Sequence, residues 1–337
     1  MAGGQERVLR RRIKSVQSTK KITKAMELIA TSRIVKAQQR VAAARPYSEQ
    51  ITEVIRNLAA AGAGSDSPLL RQPETVHSVC YVVVAADRGL AGGYNSSVIR
   101  AAERAMLADR AAGRTTALVT VGKKALTYFR FRGYEIAESF TGFSESPTYE
   151  NARGVAAFVA ERFNSGEYDQ VNLAYTQFLS MASQRVQEGT LMPLDASTIE
   201  GSDAGSDASG SGTTATSGPT ADYEFEPGPD EILDRLLPRY AESRLFAAML
   251  DAAASEQAAR QRAMKSASEN ADEIITKLSR VMNRARQDAI TTEITEIVGG
   301  AEALRQSGAG SEDLLIDQVL SSDFFRDRLP PLNPGAN

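Results

Sequence analysis

The sequence predicts an α+β protein: a long antiparallel coiled coil of N- and C-terminal helices, plus a Rossmann-like α/β domain with a largely parallel sheet. Three observations predict it. Apolar residues recur at steps of three and four through both ends of the chain. Between about residues 76 and 195 that period gives way to short apolar runs alternating with helical segments. Trp is absent and aromatic residues make up only 6%, while Ala, Arg, Glu and Gln crowd the two ends, a composition that suits long helices because these side chains lose little rotamer freedom in them.

The first element is read from about residue 4 to 61. Its apolar positions are Leu9, Ile13, Val16, Ile22, Met26, Ile29, Ile34, Ala37, Val41, Ile51, Val54, Ile55 and Leu58. Only Pro46 interrupts the pattern, a candidate kink because proline removes one backbone donor. Gly62, Gly64 and Pro68 are expected to end the helix. Val79–Ala85 then reads as a strand buried on both faces, with Thr116–Val121 and Val171–Phe178 as further strands. Val98–Ala112, Lys123–Phe131 and Tyr149–Phe163 alternate with them as helices.

Residues 201–220 contain only Gly, Ser, Asp, Ala, Thr and one Pro. They cannot bury enough apolar area to offset their ordering entropy, and a flexible insert is expected. A second long helix follows from about Asp230 to Val298, with a heptad of Ala267, Ala271, Ile274, Leu278, Val281 and Ala285, then Ile290, Ile294 and Ile297. Apart from Pro238, no Pro or Gly precedes Gly299-Gly300. At ~1.5 Å per residue such a helix reaches on the order of 100 Å. Two rods of this kind satisfy each other's apolar stripes by pairing antiparallel. The expected division is 1–62 for the first coiled-coil helix and 76–195 for the α/β domain. A 200–222 insert, a 223–300 segment carrying the second helix, and a 301–337 extension complete it.

At 337 residues, 42% hydrophobic and 24% charged, the chain affords two domains or one domain with something elongated. The net charge of −3 hides a polarity. Residues 1–46 hold twelve Lys/Arg against two Glu, a local +10, while Asp222–Arg235 holds six acidic residues against one Arg, a local −5. A basic end invites nucleic acid, an anionic membrane or an acidic protein surface. No apolar run reaches the ~18–20 residues of a membrane span, and Met1–Arg12 lacks the apolar core of a signal peptide, so a soluble protein is expected.

The chemical inventory is thin. Asp87–Asn95 lies between a strand and a helix, where a dinucleotide-binding loop would sit. However, Gly89, Gly92 and Gly93 do not make G-x-G-x-x-G, and no acidic residue stands ~20 positions on. Gly122-Lys123 lacks the upstream glycine of a phosphate-binding loop, since position 117 is Ala. Tight backbone packing is the expected role of these glycines. The only histidine, His77, has no nucleophile or carboxylate partner nearby in sequence and reads as a surface residue. The single cysteine, Cys80, reads as a buried thiol, and no Cys/His cluster has metal-ligand spacing. The basic N-terminal helix lacks a recognisable DNA-docking motif. A nucleotide-binding enzyme and a basic coiled-coil nucleic-acid protein remain the competing classes. No cofactor, metal or catalytic residue is expected, and neither nucleic acid nor direct membrane insertion.

The terminal blocks carry a resemblance. Arg12-Ile-Lys-Ser-Val-Gln-Ser-Thr-Lys-Lys-Ile-Thr-Lys-Ala-Met-Glu-Leu-Ile-Ala-Thr-Ser-Arg33 closely resembles the N-terminal helix of the γ subunits of F-type ATP synthases. Ser255–Arg260, Met264–Ser268 and Asn283–Gly299 are similar to the C-terminal helix of that family, and Asp87–Asn95 to one of its loops. The resemblance implies a bacterial-type central rotor stalk that is not itself catalytic. In the family the paired helices turn inside a ring of α and β subunits, while the α/β domain contacts the ε subunit and the c-subunit ring. Proton flow drives ATP synthesis, ATP hydrolysis drives the reverse, and the place implied is peripheral, on the cytoplasmic face of the bacterial cell membrane.

Carried over position by position, Lys24, Met26, Arg286, Gln287, Thr291 and Glu293 are implied β-subunit contacts. Tyr223, Phe225 and Glu226 are implied c-ring contacts. Ile294, Ile297 and Val298 form an apolar bearing tip. The 201–220 insert and the tail to Asn337, with its amphipathic Leu314–Leu320, depart from the family pattern.

Overall fold

A computed structural model of the chain describes residues 2–60, 68–70, 73–194 and 228–306. Helix α1 (Ala2–Ala60) is followed by a short 3-10 turn at Pro68–Leu70 and by strand β1 (Ser78–Val84). Then come α2 (Tyr94–Ala111), β2 (Thr115–Val121), α3 (Lys123–Phe131), β3 (Glu138–Phe140) and α4 (Tyr149–Asn164). Strands β4 (Gln170–Phe178) and β5 (Gln184–Met192) precede the last helix, α5 (Pro229–Gln306). The chain divides into two compact units, Thr19–Asn270 and the smaller Met1–Ser18 with Ala271–Asn337.

In the larger unit the sheet order is β3-β2-β1-β4-β5. Strand β1 is central and pairs parallel with β2, Cys80 opposite Ala117, and with β4, Cys80 opposite Val171. Strand β3 continues the parallel set, and β5 closes the other edge antiparallel to β4. Because side chains alternate across a strand, β1 feeds two cores. Val79, Tyr81 and Val83 meet α2 and α3 through Val98, Ile99, Met106 and Phe129. Cys80, Val82 and Val84 share a core with α4, with Ile51, Ile55 and Leu58 of α1, and with Leu233, Leu237, Tyr240 and Leu245 of α5. The coiled-coil helices are therefore part of the hydrophobic core of the α/β layer. Helix α4 is started by a capping box in which Thr148 and Asn151 satisfy each other's backbone N–H groups.

The pairing of α1 with α5 is antiparallel in this unit. Ile51–Leu58 share a core with Leu233–Ala252, whereas Thr23, earlier in α1, hydrogen-bonds Ser268, later in α5, with 2.7 Å between hydroxyl oxygens. The covered stripe of α1 runs Thr23, Ala30, Ile34, Ala37, Val41, Ala44, Ser48, Ile51, Ile55 and Leu58. This corrects the sequence pattern in one stretch: Ile22, Ile29 and Val54 are exposed, and Thr23 and Ala30 occupy the seam. Close approach of two helices favours small side chains at the contact, and the hydroxyl pair gives the seam a fixed register there.

In the smaller unit α1 covers Ile13 most deeply, with Leu9 and Val16 half-buried. On α5 the covered positions are Ala271, Ile275, Leu278, Met282 and Ala285, so Ile275 and Met282 stand where Ile274 and Val281 were expected. The last two are exposed. Helix α5 also continues through Gly299-Gly300 to Gln306. Helix-interior glycine costs about 1 kcal/mol relative to Ala, and strong helix formers such as Ala301, Glu302 and Ala303 follow directly. Pro46 and Pro238 lie inside α1 and α5 without ending either helix. The 200–222 insert and the tail beyond Gln306 lie outside the described residues.

One partly buried acid sits where α5 meets the end of β4. Burial raises the Asp251 carboxyl to about 7, opposed by the nearby Arg45 guanidinium of α1 and by a hydrogen bond from the Phe178 backbone. Tyr175 of β4 and Arg244 share this neighbourhood. Against an ordinary 3.8, the folded chain holds a proton that the unfolded chain has lost, so this stabilisation is complete at low pH and disappears as pH rises through about 7. Asp251→Asn keeps an acceptor for Phe178 and cannot ionise. Its melting temperature should exceed that of the parent by several degrees at pH 8 and by little at pH 4.5; equal shifts at both pH values would contradict this assignment.

Candidate functional site

The contact residues implied by the sequence fall in both units. Arg286, Gln287, Thr291, Glu293, Ile294, Ile297 and Val298 all lie on the smaller unit's part of α5, and all are exposed. Helical spacing sorts them into two adjacent stripes, Gln287-Thr291-Ile294-Val298 and Arg286-Ile290-Glu293-Ile297. Each stripe is polar at its start and apolar at its end. Ile294, Ile297 and Val298 keep 51%, 60% and 61% of their surface accessible, unusual for large aliphatic side chains within one helical turn of each other. The Thr291 hydroxyl donates to the Gln287 carbonyl at 3.0 Å, which leaves its lone pairs outward.

Lys24 and Met26 belong to the larger unit. Lys24 is exposed with its ammonium 3.0 Å from Glu27, and Met26 is half-buried beside the seam. Further exposed apolar residues on α1 are Ile22, Leu28, Ile29 and Val35. Tyr223, Phe225 and Glu226 lie outside the described residues.

The two internal motifs, Asp87–Asn95 and Ser255–Arg260, meet. Helix α5 is buried on all sides from Ala252 to Ala258, where Ala and Ser let neighbours approach and Glu256 and Gln257 are buried among them. Tyr94 Oη donates to the Ala252 carbonyl at 3.1 Å and Ser255 Oγ to the Thr176 carbonyl at 3.1 Å. Arg260 extends Nη2 to Glu256 at 2.6 Å and to the Gly89 carbonyl at 3.3 Å. Burial raises the Glu256 carboxyl despite the Arg260 charge, so this pair supplies geometry more than net stability.

Asp87 organises the loop side of the contact. Its carboxylate accepts three backbone N–H bonds, from Lys123 at 3.0 Å, Gly142 at 2.9 Å and Ser144 at 3.1 Å. Burial pushes its pKa up, and these donors with the Ser144 hydroxyl outweigh it, leaving the carboxyl below the ordinary value. Gly122 is required beside it: φ is +98°, and a Cβ would stand 2.1 Å from the Ala85 carbonyl oxygen. Of these glycines only Gly122 shows close backbone approach; Gly92 takes a φ of +56°, and a Cβ at Gly89 or Gly93 would meet only side chains at 3.6 Å or more.

Other reactive types are accounted for structurally. His77 is exposed and shares a 2.9 Å hydrogen bond with Thr75. Burial pushes the Cys80 thiol up to about 12, which leaves it protonated and unreactive. Among the described residues no cluster of His, Cys, Asp or Glu could hold a metal, and no helix is long and apolar enough to cross a membrane.

Comparison with known proteins matches this arrangement to one group. The ATP synthase family profile covers residues 5–304. The ATP synthase gamma chain of Parafrankia sp. (strain EAN1pec) is 49% identical over 310 residues, 91% of this chain and 99% of that one. The chain belongs to the ATP synthase gamma-chain family. The Frankia casuarinae gamma chain is 48% identical over 306 residues, 89% of this chain and 98% of the relative. Among solved structures, a chain of the Euglena gracilis mitochondrial ATP synthase in rotational state 3 aligns with a TM-score of 0.61, 16% identity, and coverage of 92% and 98%. A chain of the Tetrahymena thermophila mitochondrial ATP synthase central stalk and c-ring gives 0.54, 24% identity, and coverage of 73% and 99%. These two likenesses concern the fold.

In this gamma-family chain the residues that sequence reasoning missed are those of the contact between motifs: Arg33, Arg88, Glu145, Glu256 and Arg260. The available signal was Glu256 and Arg260, four apart in a stretch otherwise of Ala, Ser and Gln, where a charge pair has no solvent-facing reason. Asp87→Ala should cost about 2–4 kcal/mol, the scale of several charge-assisted hydrogen bonds lost together. The urea midpoint of unfolding measures it, and an unchanged midpoint would remove Asp87 from the loop's support.

Proposed function

We propose that the chain is the rotor shaft of the central stalk in a proton-driven ATP synthase, coupling c-ring rotation to conformational cycling of the catalytic β subunits. ATP hydrolysis on those subunits drives the reverse. The shaft contributes no catalytic residue and no cofactor site. One observation carries this reading: two terminal helices whose seam is filled by their own side chains still expose large aliphatics outside it. Ile22, Leu28, Ile29 and Val35 on α1, and Ile290, Ile294, Ile297 and Val298 on α5, are surfaces for partner subunits.

The partners are the α and β subunits as a surrounding ring, the ε subunit and the c ring. Lys24 and Met26, with Arg286, Gln287, Thr291 and Glu293, contact β; Tyr223, Phe225 and Glu226 contact the c ring. Ile294, Ile297 and Val298 form the bearing tip. An apolar contact has no preferred direction, so it turns without breaking hydrogen bonds. The polar positions below it act differently. A β subunit hydrogen-bonded to Arg286 and Gln287 differs in free energy from one that is not, and this difference alone biases its state. The coiled coil forms 1–62 and most of 223–300, and the 76–195 domain is the lower stalk. The peripheral position is at the cytoplasmic face of the bacterial membrane.

Co-purification with α and β subunits, followed by observation of rotation during ATP hydrolysis, tests the whole reading; a chain that neither assembles nor turns would end it. Within the assembly, Arg286→Ala with Gln287→Ala should lower ATP turnover several-fold, equivalent to about 1–2 kcal/mol of lost state-specific contact. The gamma chain should stay folded. Turnover equal to the parent would remove these two residues from the mechanism.

A further inference from the structure

One carboxylate gathers arginines from three separate parts of the larger unit. Glu145, in the loop after β3, accepts a short hydrogen bond from Arg33 of α1 on Oε2. Its Oε1 lies 3.6 Å from Arg88 Nη1, in the loop after β1, and 3.9 Å from Arg260 Nη1 of α5. Arg260 keeps 7% of its side chain accessible and Glu145 21%, so the centre of this group is shielded, while Arg33 and Arg88 reach it from the surface. The next residue repeats the connection, since Arg40 of α1 donates to the Ser146 hydroxyl. The loop is held from behind by Asp87, through the Gly142 and Ser144 N–H groups, and by the Asp87 N–H, which donates to Ser144 Oγ at 2.9 Å. Through this loop the sheet is linked to α1 by hydrogen bonds from Arg33 and Arg40, and to α5 by the Glu145–Arg260 charge pair, a 3.9 Å contact without a hydrogen bond.

The geometry points to Glu145 as the positioning residue that locks the α/β layer to both helices of the shaft, so that torque passes between them without slip. This rests on the rotor reading above. The apolar core between the layer and the helices resists separation, but it is non-directional, and one packed element can ratchet past another by a turn. The charge-assisted hydrogen bond from Arg33 resists rotation and register shift through its geometry, and the Arg260 pair adds a charge attraction at the shielded centre. Arg33 and Arg260 sit on different helices, and only Glu145 reaches both. Removing its charge therefore breaks both connections at once and leaves Arg260 with Glu256 and the Gly89 carbonyl.

The test uses the whole synthase in inverted membrane vesicles, with ATP hydrolysis and ATP-driven proton pumping measured on the same preparation. Glu145→Gln should keep hydrolysis within about two-fold of the parent and lower protons pumped per ATP several-fold. A contact that only stabilises the fold would lower both together through loss of complex, and that outcome overturns the proposal. A second variant, Arg33→Cys with Glu145→Cys, is treated with a short bis-maleimide; Cys80 is buried and does not compete. Pumping per ATP should be low before cross-linking and rise toward the parental ratio after it, since the cross-link restores the α1 connection. An unchanged ratio in Glu145→Gln, or no recovery on cross-linking, would overturn the lock while leaving a rotating, assembled shaft intact. Failure of the parental chain to assemble or rotate would instead defeat the rotor reading itself.

Discussion

The larger unit depends on the enclosure of one helical segment. Between Ala252 and Ala258 every position of α5 is buried, an uncommon state for a helix that is half-exposed elsewhere. It is possible because Ala252, Ala253, Ala254, Ser255 and Ala258 leave the backbone narrow enough for neighbours on every side. The neighbours are named by their bonds: β4 through Thr176, the start of α2 through Tyr94, and the loop after β1 through Gly89. A larger side chain at any of these small positions would meet a wall, because protein interiors do not yield by even one methylene without cost. The sheet, the loops and the helix pair therefore share one core, and the α/β layer is not an appendage.

That enclosure also explains why charge is buried at its end. Glu256 and Arg260 enter the shielded zone at i and i+4, and burial there disfavours the carboxylate. Replacing such pairs with apolar residues is often neutral or favourable, so stability does not explain them. Directionality does. Arg260 Nη2 serves Glu256 and the Gly89 carbonyl together, and Nη1 faces Glu145, so the guanidinium plane fixes the helix's rotation about its axis relative to two loops. Tyr149 does the same lower down, where its hydroxyl donates to Glu242 of α5 at 2.6 Å and joins α4 to the helix.

Much of this was legible in the sequence, and the misses share causes. The long helices, three strands and three helices were readable because each has a strong period or a continuous apolar run. Strand β5, Gln-Arg-Val-Gln-Glu-Gly-Thr-Leu-Met, was not, because an edge strand with one wet face buries only Leu191 and Met192 and carries little hydrophobic signal. Strand β3 has three residues and is too short for any period. The seam around residue 26 was misassigned because the largest aliphatics were assumed to face inward, whereas Thr23 and Ala30 do. The loop junction was invisible for a different reason: Arg33, Arg88, Glu145 and Arg260 are far apart in sequence, and no local pattern announces a contact that only the topology creates.

The seam error is itself informative about function. An isolated coiled coil places its large aliphatics inward, since solvent gives no reward for leaving them out. Here Ile22, Ile29 and Leu28 face outward while Thr23 and Ala30 face the partner helix, an arrangement that forgoes burial in the free chain. On the smaller unit Ile274 and Val281 are likewise exposed, although there the seam is filled by other large side chains, Ile275, Leu278 and Met282. Cost accepted at several separate positions, always for side chains able to pack against apolar surface, is what a chain designed to be surrounded would show. Around Thr23 and Ala30, α1 thus turns small residues to its neighbour and large aliphatics outward, to whatever encloses it.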